Sequence, residues 1–270
     1  MKIINKLFIL PALLLCISIN AEPFDSTYIA KPSATSLLKN ANIYDGEGNE
    51  FFGYDLLIVN GKIEAIGLNL LSITDNTVEY DLSGMWVTPG IIDLHSHMGV
   101  YSAPGVKSSS DGNESTSPVT ADVWAEHSVW TQDPQFSLAL QGGVTTFHVL
   151  PGSANLIGGR GTTFKNVQSN TIQGMKFPDA PHSLKMACGE NPKRVYGSRR
   201  QAPSTRMGNI AGYRKAWIKA SKYRQNMNTY ESKSAEAKEI VSPPTRDLEM
   251  DTLAGVLNGE ILVQNHCYSC

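Results

Sequence analysis

Pro89-Gly90-Ile91-Ile92-Asp93-Leu94-His95-Ser96-His97 decides how the chain is read. The apolar run predicts a buried strand that ends in two imidazoles. Side chains two apart on a strand share a face, so His95 and His97 stand side by side with Asp93 beneath them. Neutral imidazole is a preferred ligand of zinc and similar ions, and a catalytic site takes about three protein ligands and leaves one position open. On spacing alone the competing reading is two histidines hydrogen-bonded inside a core.

Upstream of this strand, residues 36–88 alternate short apolar runs with turns. Leu37 to Tyr44 and Tyr54 to Val59 read as strands, Asn60-Gly61 as a tight hairpin, and Lys62 to Gly67 as the returning strand. Val78 to Leu82 and Met85 to Thr88 complete a small β-sandwich portion, entered from a linker over residues 22–35.

Downstream, residues 89–270 read as an α/β unit. Gly99 to Ser117 is a loop rich in Gly, Ser and Pro on the C-terminal side of the His95 strand, the side on which parallel barrels do their chemistry. Pro134 to Leu140 predicts a helix stopped by Gly142-Gly143. Val144 to Leu150 is the next buried strand, in which His148 is either a ligand or a second-shell or core residue. Gly158-Gly159-Arg160-Gly161 reads as a plain tight turn ahead of a hairpin from Thr162 to Phe177, since no Lys-Ser/Thr follows to make a phosphate loop.

Leu184-Lys185-Met186-Ala187-Cys188-Gly189-Glu190 gives the next strand. Leu184, Met186 and Cys188 share an apolar parity that suits a helix-covered face, which turns Lys185 to the opposite, inner side. A buried lysine is costly unless paired or chemically changed. It is therefore either salt-bridged to a carboxylate such as Asp93 or carboxylated into an anionic bridging ligand. Asn191 to Arg206 reads as a basic loop, Ile210 to Asn226 as a helix, Glu231 to Arg246 as linker and Leu248 to Leu257 as a helix. A last strand, Ile261 to His266, brings a third imidazole to a strand end.

Composition bounds the class. With 270 residues, 23 Lys+Arg, 25 Asp+Glu and a hydrophobic fraction of 41%, nothing calls for nucleic acid. Residues 1–21 carry Lys2 and Lys6 before an apolar run from Leu7 to Ile17, and read as a secretory signal cut after Ala21. The run is short of the ~20 residues of a membrane span, and Pro11 interrupts it. A lipoprotein site at Cys16 is disfavoured by the bulky Leu15 before it. Cleavage lowers the formal net charge from −2 to −4, in a secreted or periplasmic protein. Three cysteines then remain, an odd number that argues against a closed disulfide framework; Cys188 reads as a small core residue.

Asn42 to Gly46, Val59-Asn60-Gly61-Lys62-Ile63, Val87 to His97 and Gly142-Gly143-Val144-Thr145-Thr146 resemble the amidohydrolase superfamily, most closely its imidazolonepropionase-like branch. The resemblance implies a metal-dependent hydrolase on a (β/α)8 TIM-type barrel flanked by a small β-sandwich. It matches His95, His97 and His266 to metal ligands and Lys185 to the lysine that some members carboxylate. Glu190 is the second candidate for the bridging position, which the sequence leaves open. One or two divalent ions, zinc foremost, would acidify water and polarise the carbonyl of a small cyclic amide or dipeptide, with a later strand-end aspartate carrying the proton.

The pattern is met only in part. Pro89 to Cys270 spans 182 residues, below the ~200 of a lean barrel. We therefore expect an incomplete barrel whose aspartate has no counterpart here. The alternatives are a truncated, catalytically inactive chain that still binds metal, and a terminal metal or redox element built from His266, Cys267 and Cys270. The oligomeric state is open.

Overall fold

The structure, a computed structural model, describes residues 23–269. The signal read in residues 1–21 and the Cys270 arm of the terminal element lie outside the described residues. Among those described, no helix is long and apolar enough to cross a membrane. The architecture is mixed α/β, with two five-stranded sheets.

The first sheet holds β1 (Ser36–Tyr44), β2 (Glu50–Val59), β3 (Lys62–Gly67), β4 (Val78–Asp81) and β5 (Trp86–Val87). The β2–β3 hairpin turns at Asn60 and Gly61, both with positive φ (52° and 74°), the backbone that an Asn-Gly pair adopts at least cost. β1 pairs antiparallel with β2 on one side and parallel with β4 and β5 on the other. Ala41, Ile43 and Leu56 form its small core. Among the described residues, 36–88 form this one sheet, a single layer.

The second sheet runs in the order β10-β9-β8-β7-β6. Its strands are β6 (Ile91–Ser96), β7 (Val144–Val149), β8 (Ile157–Lys165), β9 (Ser183–Gly189) and β10 (Leu262–Tyr268). β6 and β7 are parallel, as are β9 and β10, while β8 is antiparallel to both of its neighbours. Four strands therefore point one way around a reversed fifth. This overturns two sequence expectations. Residues 157–165, with their glycine run, form a strand rather than a turn, and the sheet is not wholly parallel. A parallel crossover needs a dozen or more residues, and only residues 150–156 separate β7 from β8, so the chain can only turn back.

Helices cover the face opposite the imidazoles. α1 (Pro134–Gln141) starts on Asp133, whose carboxylate accepts from Gln135 N, with proline in its first turn. α2 (Ile172–Met175) is a single turn. The basic stretch after β9 begins as α3 (Glu190–Gly197), and α4 (Arg206–Glu231) runs longer at both ends than its apolar spacing implied. α5 (Ala235–Ile240) interrupts the expected linker. α6 (Leu248–Asn258) is capped by Asp247 and ended by Gly259 in the left-handed region. Leu184 and Met186 of β9 pack with Ala216, Ala220, Met250 and Leu253 of α4 and α6. A second core joins Phe136 of α1 to Phe147 and Phe164 of the sheet.

A buried ion pair fastens the start of the described chain to this body. Lys176 Nζ lies 2.7 Å from Glu126 Oε2, and the two side chains are 8% and 2% exposed. Lys176 Nζ also donates to the Phe24 carbonyl, and Ser26 Oγ donates to the Lys176 carbonyl. Glu126 Oε2 accepts from Thr162 Oγ1, whereas Oε1 is buried without a hydrogen-bond partner.

Candidate metal centre

The ends of β6, β7, β9 and β10 share one edge of the sheet, and the sequence-predicted ligands meet there. The rings of His95 and His97 are 5.2 Å apart, and His266 lies 5.9 Å from His95. Lys185 is 1% exposed, and its Nζ sits 3.0 Å from His95 Nε2. His95, Lys185 and His266, with Leu150, Gln264 and Asn265, line a cavity of about 300 Å³. A larger hollow of about 700 Å³, lined by Trp124, His127, Arg160 and His182 among others, lies elsewhere and contains none of the predicted ligands.

Hydrogen-bond directions fix the tautomers. A carbonyl only accepts, so His97 Nδ1, 2.8 Å from the Leu150 oxygen, carries the proton and leaves the Nε2 lone pair unused. An ammonium only donates, so His95 Nε2 accepts from Lys185 and its proton is on Nδ1. Burial, followed by the positive charge of Lys185, holds His95 below the usual histidine range. Burial does the same for His97, partly offset by its bond to Leu150. Both rings are thus neutral at pH 7 with a lone pair on Nε2, the state that binds a metal.

Lys185 has no carboxylate within ion-pair distance among the described residues, so the pairing with Asp93 is not formed. Asp93 instead accepts from the backbone N of His95. Burial lowers the Lys185 ammonium to about 8. As placed, no three His, Cys, Asp or Glu side chains of the described residues stand close enough to chelate an ion. The ammonium takes the coordinating lone pair of His95, as a bound cation would.

Two other candidates take different places. Glu190 opens α3 with its side chain exposed, away from the inward parity of Lys185. His148 is buried with both ring nitrogens engaged, Nδ1 at 2.8 Å from Thr163 Oγ1 and Nε2 at 2.6 Å from Ser183 Oγ. Gly161 makes room for this, because a side chain there would meet His148 Nε2 at 2.8 Å. Burial depresses the His148 pKa to about 4. Cys188 is bonded to Cys267, which corrects both the reading of a free core thiol and the terminal metal element.

The supports of the site carry no sequence signature of their own. Asp133, besides capping α1, accepts from the N–H groups of Gly99 and Ala103 in the loop after His97. Tyr101 lies edge-on to His97 at 5.6 Å and receives a hydrogen bond from the Asn113 amide, whose oxygen accepts from Ala154 N. Tyr196, fully buried, places its hydroxyl 2.5 Å from the Ser117 carbonyl and 2.7 Å from Asn155 Oδ1. Asn209 Oδ1 accepts from Gly189 N, where β9 turns into α3. Only the breaks in periodicity around these polar residues hint at such roles.

No family model matches the chain. A crystal structure of an amidohydrolase from Thermotoga maritima superposes with a TM-score of 0.76 at 38% identity, over 86% of this chain and 57% of that one. Amidohydrolase tasK of Hapsidospora irregularis is 30% identical over 269 residues, 90% of this chain and 27% of that protein. Over most of its length the chain is thus similar to amidohydrolases. A dihydroorotase of Ligilactobacillus salivarius is 41% identical over a shorter stretch of 71 residues, 26% of this chain. The chain spans about a quarter of the tasK amidohydrolase and somewhat over half of the Thermotoga amidohydrolase.

Proposed function

We propose that this chain supplies the metal-binding half of an amidohydrolase that cleaves a carbon–nitrogen bond in a small molecule such as a cyclic amide or dipeptide. The observation that carries the reading is the pair of neutral rings, His97 with its Nε2 lone pair unused and His95 with its Nε2 lone pair directed at Lys185, a buried lysine with no carboxylate within ion-pair distance among the described residues. His95, His97, His266 and Lys185 would hold the ion, and the sheet bearing them would form part of a (β/α)8 barrel. A divalent cation, zinc foremost, supplies Lewis acidity toward a carbonyl and lowers the pKa of water toward ~7.

The residues of this chain set up that chemistry. The Leu150 carbonyl orients His97, and Tyr101 flanks the same ring. The burial that brings Lys185 to about 8 increases its neutral fraction near pH 7, and a neutral amine is what adds to carbon dioxide. Starting from the ammonium, that reaction loses one proton to free the amine lone pair, forms an N–C bond as one C=O π bond of carbon dioxide opens, and loses a second proton from nitrogen, so a cationic side chain becomes an anionic ligand. A second reading, that the chain binds metal without turnover, is favoured by the cavity lining, which includes no carboxylate.

Zinc titration with and without bicarbonate tests the proposal. Binding should be lost in His95→Ala and His97→Ala, and bicarbonate should raise the loading of the native chain but not of Lys185→Ala. Hydrolysis of a cyclic amide by the zinc-loaded chain separates the two readings. Equal zinc binding by the native chain and His95→Ala would refute both.

A further inference from the structure

We infer that the Cys188–Cys267 disulfide is the positioning element that keeps His266 within the imidazole cluster. The inference rests on the metal reading above and adds to it a covalent support for one ligand. Cys188 and Cys267 are direct partners in the β9–β10 register, with Cα atoms 4.5 Å apart. The preceding pair in that register is Ala187 with His266. Neighbouring pairs project to opposite faces, so the sulfur bridge lies behind the sheet while the His266 ring stands in front. Leu184 and Met186, which share the parity of Cys188, lie in the core beneath α4 and α6 and confirm which face is the back.

β10 needs such support. Among the described residues it pairs only with β9, and along it only Gln264 and His266 are half-buried, the other five residues being exposed. A strand held by one ladder, with its side chains in water, opens at low free-energy cost. Opening would carry His266 away from His95. A bond at the very next residue, anchored in the strand that carries Lys185, prevents that displacement without occupying the site. A bridge that merely stapled the fold would show no dependence on His266.

The test compares zinc affinity, by competition with a chromophoric chelator, in the oxidised native chain and in Cys188→Ala/Cys267→Ala. The double variant should bind about 10–100-fold more weakly, the range for losing a group that orients a ligand. Placed in His266→Ala, the same pair of substitutions should cause no further loss. A second preparation guards against misfolding of the variant: native chain reduced with a phosphine, both thiols then capped as S-methyl disulfides, should show the same weakening. Non-reducing peptide mapping should show the crosslink in the native chain. Native-like affinity in both altered forms, a loss that adds fully to that of His266→Ala, or the absence of the crosslink would each overturn the inference and leave the metal site standing. Failure of the native chain to bind zinc would instead overturn the metal reading, and this inference with it.

Discussion

Replacing Lys176 by methionine removes the buried ammonium paired with Glu126. Both partners are buried, at 2.7 Å, and Glu126 already leaves Oε1 without a hydrogen bond. Breaking a buried pair by deleting one member costs about 3–5 kcal/mol, because the remaining charge is uncompensated. The lost bond to the Phe24 carbonyl adds to this. At 2–4 °C per kcal/mol for a domain of this size, the melting temperature should fall by roughly 6–20 °C.

Glu126→Gln/Lys176→Met, which buries no charge, should recover most of the loss. The assay is urea unfolding of all four members of the cycle. A Lys176→Met deficit below about 1 kcal/mol, or two single losses that simply add in the double variant, would refute the argument.

Other perturbations read other parts of the molecule. His148 titrates near 4 when folded and near 6.5 when unfolded, so between those values only the unfolded state gains the proton; stability should fall with acidification by up to about 3 kcal/mol, and His148→Gln should flatten that limb in urea titrations. Tyr196→Phe strips the shared donor from the Ser117 carbonyl and Asn155 and should cost about 1–3 kcal/mol in chemical denaturation. Gly112→Ala would bring a Cβ within 2.2 Å of the Tyr101 ring. Overpacking of that kind costs about 1–3 kcal/mol, and zinc affinity should weaken as Tyr101 shifts off His97.

The site was legible where its information is local and periodic. His95 and His97 sit two apart, Lys185 opposes an apolar parity, and His266 shares the parity of Gln264 near the end of β10, so alternation assigns each to one face of its own strand. What escaped the sequence depends on contacts between distant residues. The partner of Cys188 is 79 residues away, and register cannot be read from either strand alone. An odd cysteine count misled because it weighs the number of thiols and not their placement. The reversal of β8 was hidden by its glycines, which look like a turn until the shortness of the preceding connection is weighed against the length a crossover needs. Asn113, Asn155 and Asn209 belong to no period, since each serves a single loop or strand end.

Asp133 begins α1 and, with its two oxygens, grips the backbone just beyond His97. The helix and the loop that bears an imidazole therefore travel as one rigid piece. Any substitution that tilts α1, though far from the cavity, should be felt as a rotation of the His97 ring. Conversely, a cation that locks that ring should slow hydrogen exchange in the first turn of the helix.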